Sequence, residues 1–349
     1  MIRAFLAQLG ALWTRVRAQI SRVLAYVDYG LSFLRKNSQI VEVWPQGEMK
    51  LGPRIVIFIH YDGQGALGDH TQHYVRSLKA AGFSVVFVTN SNKLRRDAMA
   101  TLQTLCAGVI VRRNIGYDFG AMREGLAYLN LPRADTEMVV LANDSIYGPL
   151  GPLDDMISRM DLNKADFWGA TDSWQQRYHI QSYFLAVGRK VLESKAWKDF
   201  WAEVRPVKSK TWVVSRYELG LSQRMVRGGL RLAAVWRYQD LINNVNAAWL
   251  MEPRKEGPQT AEPMVQMRYI HAHRIRHNVA TRTPLNPTSD LWRQLLQAGF
   301  PFLKRELMRD NPTFVADLID WRDEVRKQFG EVPEAIEADL RRVMRNRVP

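Results

Sequence analysis

The chain has 349 residues, 46% hydrophobic and 24% charged, enough to bury a large core, and its single cysteine, Cys106, excludes an intrachain disulfide or a thiolate metal cluster. Lys and Arg outnumber Asp and Glu by 49 to 35, a formal +14, which points to polyanions (nucleic acid, anionic lipid or nucleotide phosphates) without choosing among them. No run reaches the ~20 apolar residues of a membrane span, and no internal repeat suggests a solenoid.

The first elements are basic and amphipathic. Ile2, Phe5, Leu6, Leu9, Leu12, Trp13, Val16, Ile20, Val23, Leu24 and Val27 recur at helical spacing. Arg3, Arg15, Arg17, Arg22, Arg35 and Lys36 are opposed only by Asp28. The internal arginines rule out the uninterrupted apolar region of a signal peptide. A helix of this kind suits an anionic membrane surface; the plainer alternative packs it on the protein's own core or on a second subunit. The stretch SQIVEVWPQGEMKLGPR reads as a linker, so residues 1–48 form a helix-and-linker unit.

From Arg54 strands and helices alternate. RIVIFIH (54–60), SVVFVTN (84–90), GVIVRRN (108–114) and EMVVLAND (137–144) are short apolar runs expected of strands covered on both faces. Between them DHTQHYVRSLKAAG, KLRRDAMATLQTL and DFGAMREGLAYLN read as helices. The alternation predicts an α/β domain over residues 49–250 with a mostly parallel sheet, followed by a helical extension over 251–349. In such sheets ligands bind beyond the carboxyl ends of the strands. Asn90, Asn114, Asn143, Asp144 and Ser145 all fall there. The run Asn143-Asp144-Ser145 could be no more than a turn. Repetition of polar strand ends makes it a candidate ligand edge instead.

No dinucleotide fingerprint, P-loop or nucleophile elbow occurs. A lone carboxylate after a strand can hold a divalent cation that bridges a nucleotide diphosphate, and Asp144 suits that role. Arg112, Arg113 and Arg123 could neutralise phosphate, although arginines on a surface usually do no such thing. Further on, Phe167-Trp168-Gly169 and Ser182–Leu185 read as strands around a polar segment holding Asp172, Trp174, His179 and Gln181, a composition common in sugar-binding surfaces and also in cores. Glu218 falls at the expected start of a helix ending near Gly228-Gly229, where the helix dipole would favour it or where it could serve as a general base.

The blocks IFIHYD, VTNS, RRNIGYDFGAMREGL, LANDSIYGPL, DFWGATDS, HIQSYFLAV, YELGLS and NPTSDLWRQLLQAGFPFLKRELMRDNP, collinear over residues 54–312, resemble the rhamnan synthesis F family of bacterial polysaccharide glycosyltransferases. The resemblance implies a GT-A-like fold and inverting transfer of a deoxyhexose, most simply L-rhamnose from dTDP-L-rhamnose. The acceptor would be a lipid-linked or growing glycan at the cytoplasmic face of the inner membrane, with the protein bound peripherally. No nucleic-acid recognition motif accompanies the positive charge, so no nucleic-acid partner is expected. Carried over residue by residue, Asn114, Gly116 and Asp118 match the block that lines the nucleotide; the expected nucleotide-sugar site also takes His60, Asp62, Asn90, Asn143, Asp144 and Ser145 at the strand ends, with Trp174, His179 and Gln181 beyond them. Glu218 is the base and Asp172 its alternative; Asp144 takes the metal-binding acid position, for Mg²⁺ or Mn²⁺. NDS keeps only one acid of a DxD pattern, and NPTS has Ser289 where the family places a His, so metal dependence and a role for that His do not carry over directly. The single acid also keeps open a catalytically silent homologue that binds nucleotide-sugar within an assembly complex.

Towards the end, His271, His273 and His277 have a spacing that would put them on one face of a strand. Basic residues facing phosphate or lipid are the simpler reading, because no carboxylate nearby completes a metal site; the alternative has one histidine reaching a cation on Asp144. FVADLIDWRDEVRKQFGEVPEAIEADLRRVMRNRV reads as a pair of capping helices.

Overall fold

The structure is a computed structural model that describes residues 19–36, 38–251 and 263–344. Most of the apolar pattern expected at the amino terminus therefore lies outside the described residues. Helix α1 (19–32) leads into strand β1 (Ile40–Trp44), and β2 (Arg54–His60), β3 (Ser84–Thr89), β4 (Gly108–Arg112) and β5 (Met138–Asn143) follow. Helices α2 (Asp69–Ala80), α3 (Arg96–Leu105) and α4 (Tyr117–Tyr128) connect them as the crossovers of parallel strands. After β6 (Ile146–Tyr147) and α5 (Asp154–Ser158) come β7 (Phe167–Ser173), β8 (His179–Ile180) and β9 (Phe184–Gly188). Helices α6 (Arg189–Glu193) and α7 (Lys195–Glu203) precede α8 (Lys210–Trp212) and α9 (Leu219–Arg227), which one π-helical stretch (Val213–Glu218) joins into a single rod. Strand β10 (Leu232–Trp236) ends the main sheet.

That sheet runs β1-β4-β3-β2-β5-β9-β7-β10, with β8 appended to β7. Strands β2, β3, β4 and β5 are mutually parallel and β10 is parallel to β7, whereas β1 and β9 run against their neighbours. The fold is thus α/β with a mixed, mostly parallel sheet. From β2 the chain winds outward through β3 and β4, then returns to place β5 on the opposite flank. The crevice between the carboxyl ends of β2 and β5 is the switch point.

Continuous apolar runs form these strands because both faces are covered. On one face Val56, Phe58 and Phe87 pack under α2 and the carboxyl-terminal region; on the other Ile57, Val86 and Val88 pack with Phe119, Trp201 and Tyr217. A third cluster, including Tyr147, Trp292, Leu303, Trp321 and Ile336, belongs to the carboxyl-terminal third. There α10 (Tyr238–Met251), α11 (Pro263–Ala280), α12 (Pro287–Asp290) and α13 (Trp292–Gln297) lead to β11 (Leu303–Lys304). Helices α14 (Arg305–Asp310), α15 (Trp321–Phe329) and α16 (Glu334–Met344) close the described chain. Strand β11 pairs antiparallel with β6, Leu303 opposite Tyr147.

Four local expectations change. The stretch read as a linker contains β1, an edge strand too short to announce itself but supplied with partners by β4. Strand β7 runs to Ser173, so Asp172 belongs to a strand and not to a loop. Glu218 ends the π-helical stretch inside a continuous rod, where no helix amino terminus favours it. His271, His273 and His277 lie on helix α11, where His273 and His277, four apart, share a face but His271, two residues before His273, does not.

Candidate active site

The switch point is built from β5 outward. Asn143 closes the strand and is buried; its Nδ2 donates to Asp118 Oδ2 at 3.1 Å, while its Oδ1 accepts from Ser145 N and Oγ. The segment is therefore a turn, held at the carboxyl end of β5. Asp118 sits in the first turn of α4, whose entry is set by Gly116 at φ +88. A Cβ on Gly116 would meet Gly120 Cα at 3.0 Å, so the tight approach that aims Asp118 at β5 requires glycine.

Three carboxylates converge here. Asp118 is pushed up to about 7, first by burial and then by the charges of Asp144 and Glu218, against the opposing pull of Arg112 and the Asn143 hydrogen bond. Glu218 Oε1 accepts from Ser182 Oγ at 2.9 Å, which ties the π-helical stretch to the residues entering β9. Asp144 is held by Arg305, whose Nη1 donates to its Oδ2 at 3.1 Å and to its carbonyl at 2.8 Å. The β6–β11 ribbon makes this contact, because Arg305 follows β11 directly and its N–H donates to Ser145 O. The ribbon in turn depends on Gly148 at φ +132, where a Cβ would lie 2.5 Å from Pro301 O. Behind Arg305, Asp339 on α16 accepts from Tyr147 Oη at 2.7 Å and from Arg342, with Arg305 Nη2 at 3.5 Å.

Burial pulls both histidines here towards the neutral form. His60, buried at the end of β2, hydrogen-bonds Thr89 Oγ1 at 3.1 Å, and burial lowers its pKa more than Asp144 and Asp62 raise it. His70 lies 3.7 Å from Asp339 and is lowered to about 4, chiefly by burial and then by Arg305.

Other expected residues serve the frame. Asp62 Oδ1 caps a turn, accepting from the backbone of Gln64 and Ala66. Asn90 accepts from Arg112, which is wholly buried and paired with Glu124 at 3.0 Å. Arg112 is thus a strut, not a phosphate ligand, and Arg123 donates to Val204 O. Asn114 opens on a separate surface pocket with Val41, Asn92, Arg113 and Lys208. Asp172 Oδ1 accepts from Tyr238 N at 2.6 Å, holding the start of α10. Its pKa is raised, first by burial. Gln181 bridges Thr171 to Asn286 and Thr288, and His179 Nδ1 lies 2.9 Å from Arg177 O. Trp174 remains half exposed beside Tyr178. His271 meets Asp290 O at 2.8 Å, and His273 packs on Tyr269.

Arg305, Ser182 and Asp339 were not singled out from the sequence. Arg305 stands in the LKREL of the late resemblance block, which was the one signal available for it.

The sequence profile of the rhamnan synthesis protein F family matches residues 85–261, half of the chain and inside the 54–312 stretch of the resemblance. The chain belongs to that family. A curated relative, the virulence protein VirA of Vibrio anguillarum, is 29% identical over 224 residues, 63% of this chain and 68% of its own. Among solved structures the chain is similar to the glycosyltransferase GlyE of Streptococcus pneumoniae, with 9% identity, a TM-score of 0.33 and coverage of 67% of this chain and 65% of that one. It is also similar to the mannosyltransferase PcManGT of Pyrobaculum calidifontis, solved with GDP-Man and Mn²⁺, with 12% identity, a TM-score of 0.29 and coverage of 93% and 91%. Scores this low bear on neither substrate nor mechanism.

Proposed function

We propose that this member of the rhamnan synthesis protein F family is an inverting glycosyltransferase. It moves a deoxyhexose, L-rhamnose from dTDP-L-rhamnose, onto a lipid-linked or growing cell-surface glycan. The observation that carries the reading is the meeting of Asp118, Asp144 and Glu218 with Arg305 at the switch point. A carboxylate is set to accept a proton, and a cation is set to meet a diphosphate.

In this reading the nucleotide lies over the ends of β2 and β5. Glu218, held by Ser182, removes the proton of the acceptor hydroxyl as it attacks the anomeric carbon. Arg305 meets the negative charge that builds on the leaving diphosphate. In this reading Arg305 stands where a divalent cation would otherwise neutralise the diphosphate, because its guanidinium is already paired with Asp144.

The protein works in this scheme from the cytoplasmic face of the membrane, bound through α1. Among the described residues no helix is long and apolar enough to cross a bilayer. The outward stripe of α1 and the turn after it, Ile20, Val23, Leu24, Val27, Leu31 and Leu34, is 49–86% exposed and supports a surface-bound helix.

The test is transfer and donor hydrolysis across a panel of nucleotide-sugars, with Mg²⁺, with Mn²⁺ and with EDTA. One donor is expected to turn over, EDTA to leave the rate unchanged, and Glu218→Gln to lower kcat by about 10²–10⁴-fold with donor binding intact. Nucleotide binding without turnover of any donor, given a lipid-linked acceptor, would make the protein a silent binding homologue.

A further inference from the structure

On the side of the Glu218 rod away from the sheet lies an open groove of about 870 Å³, walled by α1, α9 and the loop after β7. Arg22, Arg177, Arg216, Arg224 and Arg227 line it. Glu203 is the one acid on its walls among the described residues, and it is engaged by Arg224. Arg216 bonds Tyr26 Oη and lies 5.4 Å over the Trp212 ring, whereas Arg22, Arg177 and Arg227 have no acidic partner among the described residues. Five guanidinium groups against one carboxylate make a concave surface of strong positive potential.

The groove is a built feature. Tyr29 stacks on Trp212 at 4.3 Å, Asp28 Oδ2 accepts from the backbone of Lys208 and Ser209, and Arg35 donates to Pro206 O at 2.8 Å. These contacts fasten α1 to the rod that carries the candidate base. Tyr217 and Leu219, on either side of Glu218, both touch the groove. Next to it runs the exposed apolar stripe of α1.

We infer that the groove binds the diphosphate of a lipid-borne acceptor. Arginine forks match phosphate oxygens in pairs, and several around one concavity suit a diphosphate better than a carboxylate. The apolar face beside them gives the lipid chain somewhere to lie without crossing the cationic wall. An acceptor so held would present its sugar hydroxyl to the far side of the same rod, where Glu218 is. The inference deepens the glycosyltransferase reading and rests on it for the identity of the bound molecule as an acceptor.

Binding to the full chain is measured with farnesyl diphosphate, farnesol and inorganic diphosphate, for wild type and for the triple variant Arg22→Gln, Arg177→Gln, Arg227→Gln. All three side chains are exposed, so the melting temperature is expected to hold. Farnesyl diphosphate is expected to bind more tightly than either probe lacking one of its parts, and the variant to weaken it by roughly 30-fold or more. dTDP binding, read in parallel, should be unchanged. Equal affinity of wild type and variant for farnesyl diphosphate would overturn the proposal. So would inorganic diphosphate binding as tightly as the lipid, which would leave a free-phosphate site. A wild type that loses farnesyl diphosphate through the variant but turns over no donor would keep the groove while removing the transferase reading.

Discussion

Asp118 is in the first turn of α4, where the helix dipole lowers a carboxylate's pKa, yet its pKa is pushed the other way, to about 7. Burial and the charges of Asp144 and Glu218 outweigh the dipole and Arg112. Between its ordinary value near 4 and 7 the folded chain therefore binds a proton that the unfolded chain has released, and stability is lost as pH rises through that window. Asp118→Asn keeps an acceptor for Asn143 and removes the charge. A tenfold change in proton affinity is worth roughly 1.4 kcal/mol, and water in the cleft reduces the total, so a gain of about 1–2 kcal/mol is expected at pH 8 and none near pH 3.5. Denaturant melts of both proteins at the two pH values read it. The same proton bears on binding, since an ionised Asp118 repels a diphosphate. Donor KM should climb above pH 7 in the wild type and stay flat in Asp118→Asn.

At the scale of elements the rod from α8 through α9 decides where Glu218, the proposed base, points. The π-helical stretch adds one residue to the turn and changes the register between the half stacked on α1 and the half that ends at Gly228. Ser182 fixes the result through one hydrogen bond. Ser182→Ala should lower kcat about tenfold and leave donor KM and the melting temperature nearly unchanged, because Glu218 gains freedom without losing burial. An unaltered kcat would mean that the Ser182 hydrogen bond does not position the proposed base. Sequence periodicity reached much of this frame. Strands 54–60, 84–90 and 137–144 were legible because a parallel strand buried on both faces must be apolar throughout, which also fixed Asn143 and Asp144 at its edge. The π-helical register was not legible, since one added residue leaves the apolar period of the rod almost intact. Strand β1 was not either: five residues on a sheet edge take their identity from β4.

Across the whole molecule the site depends on a segment remote in sequence. Asp144 and its counter-charge Arg305 are 161 residues apart, and no local pattern encodes such a pair. Behind Arg305, Asp339 gathers Tyr147, Arg342 and Arg305, with His70 3.7 Å away, so α16 is the outer brace of the proposed nucleotide edge. Burial raises the Asp339 pKa, but His70, the hydrogen bonds from Arg342 and Tyr147, and Arg305 outweigh it and hold the carboxyl below its usual range. A depressed acid contributes stability that is present above its unfolded pKa near 4 and is lost as pH falls through the folded value. Asp339→Asn should therefore cost about 2–4 kcal/mol at pH 7, as expected when one member of a buried charge cluster is removed, with the difference shrinking in acid. Freed on one side, Arg305 should also lose its fixed approach to Asp144. Donor KM is then expected to rise several-fold while kcat at saturating donor changes little, because the brace positions the diphosphate site and does not touch the acceptor. Steady-state kinetics below the variant's melting range separate the two effects. A stability loss with KM unchanged would reduce α16 to a buttress. A rise in KM that Asp144→Asn abolishes in the double variant would place the coupling in the Asp144–Arg305–Asp339 chain itself.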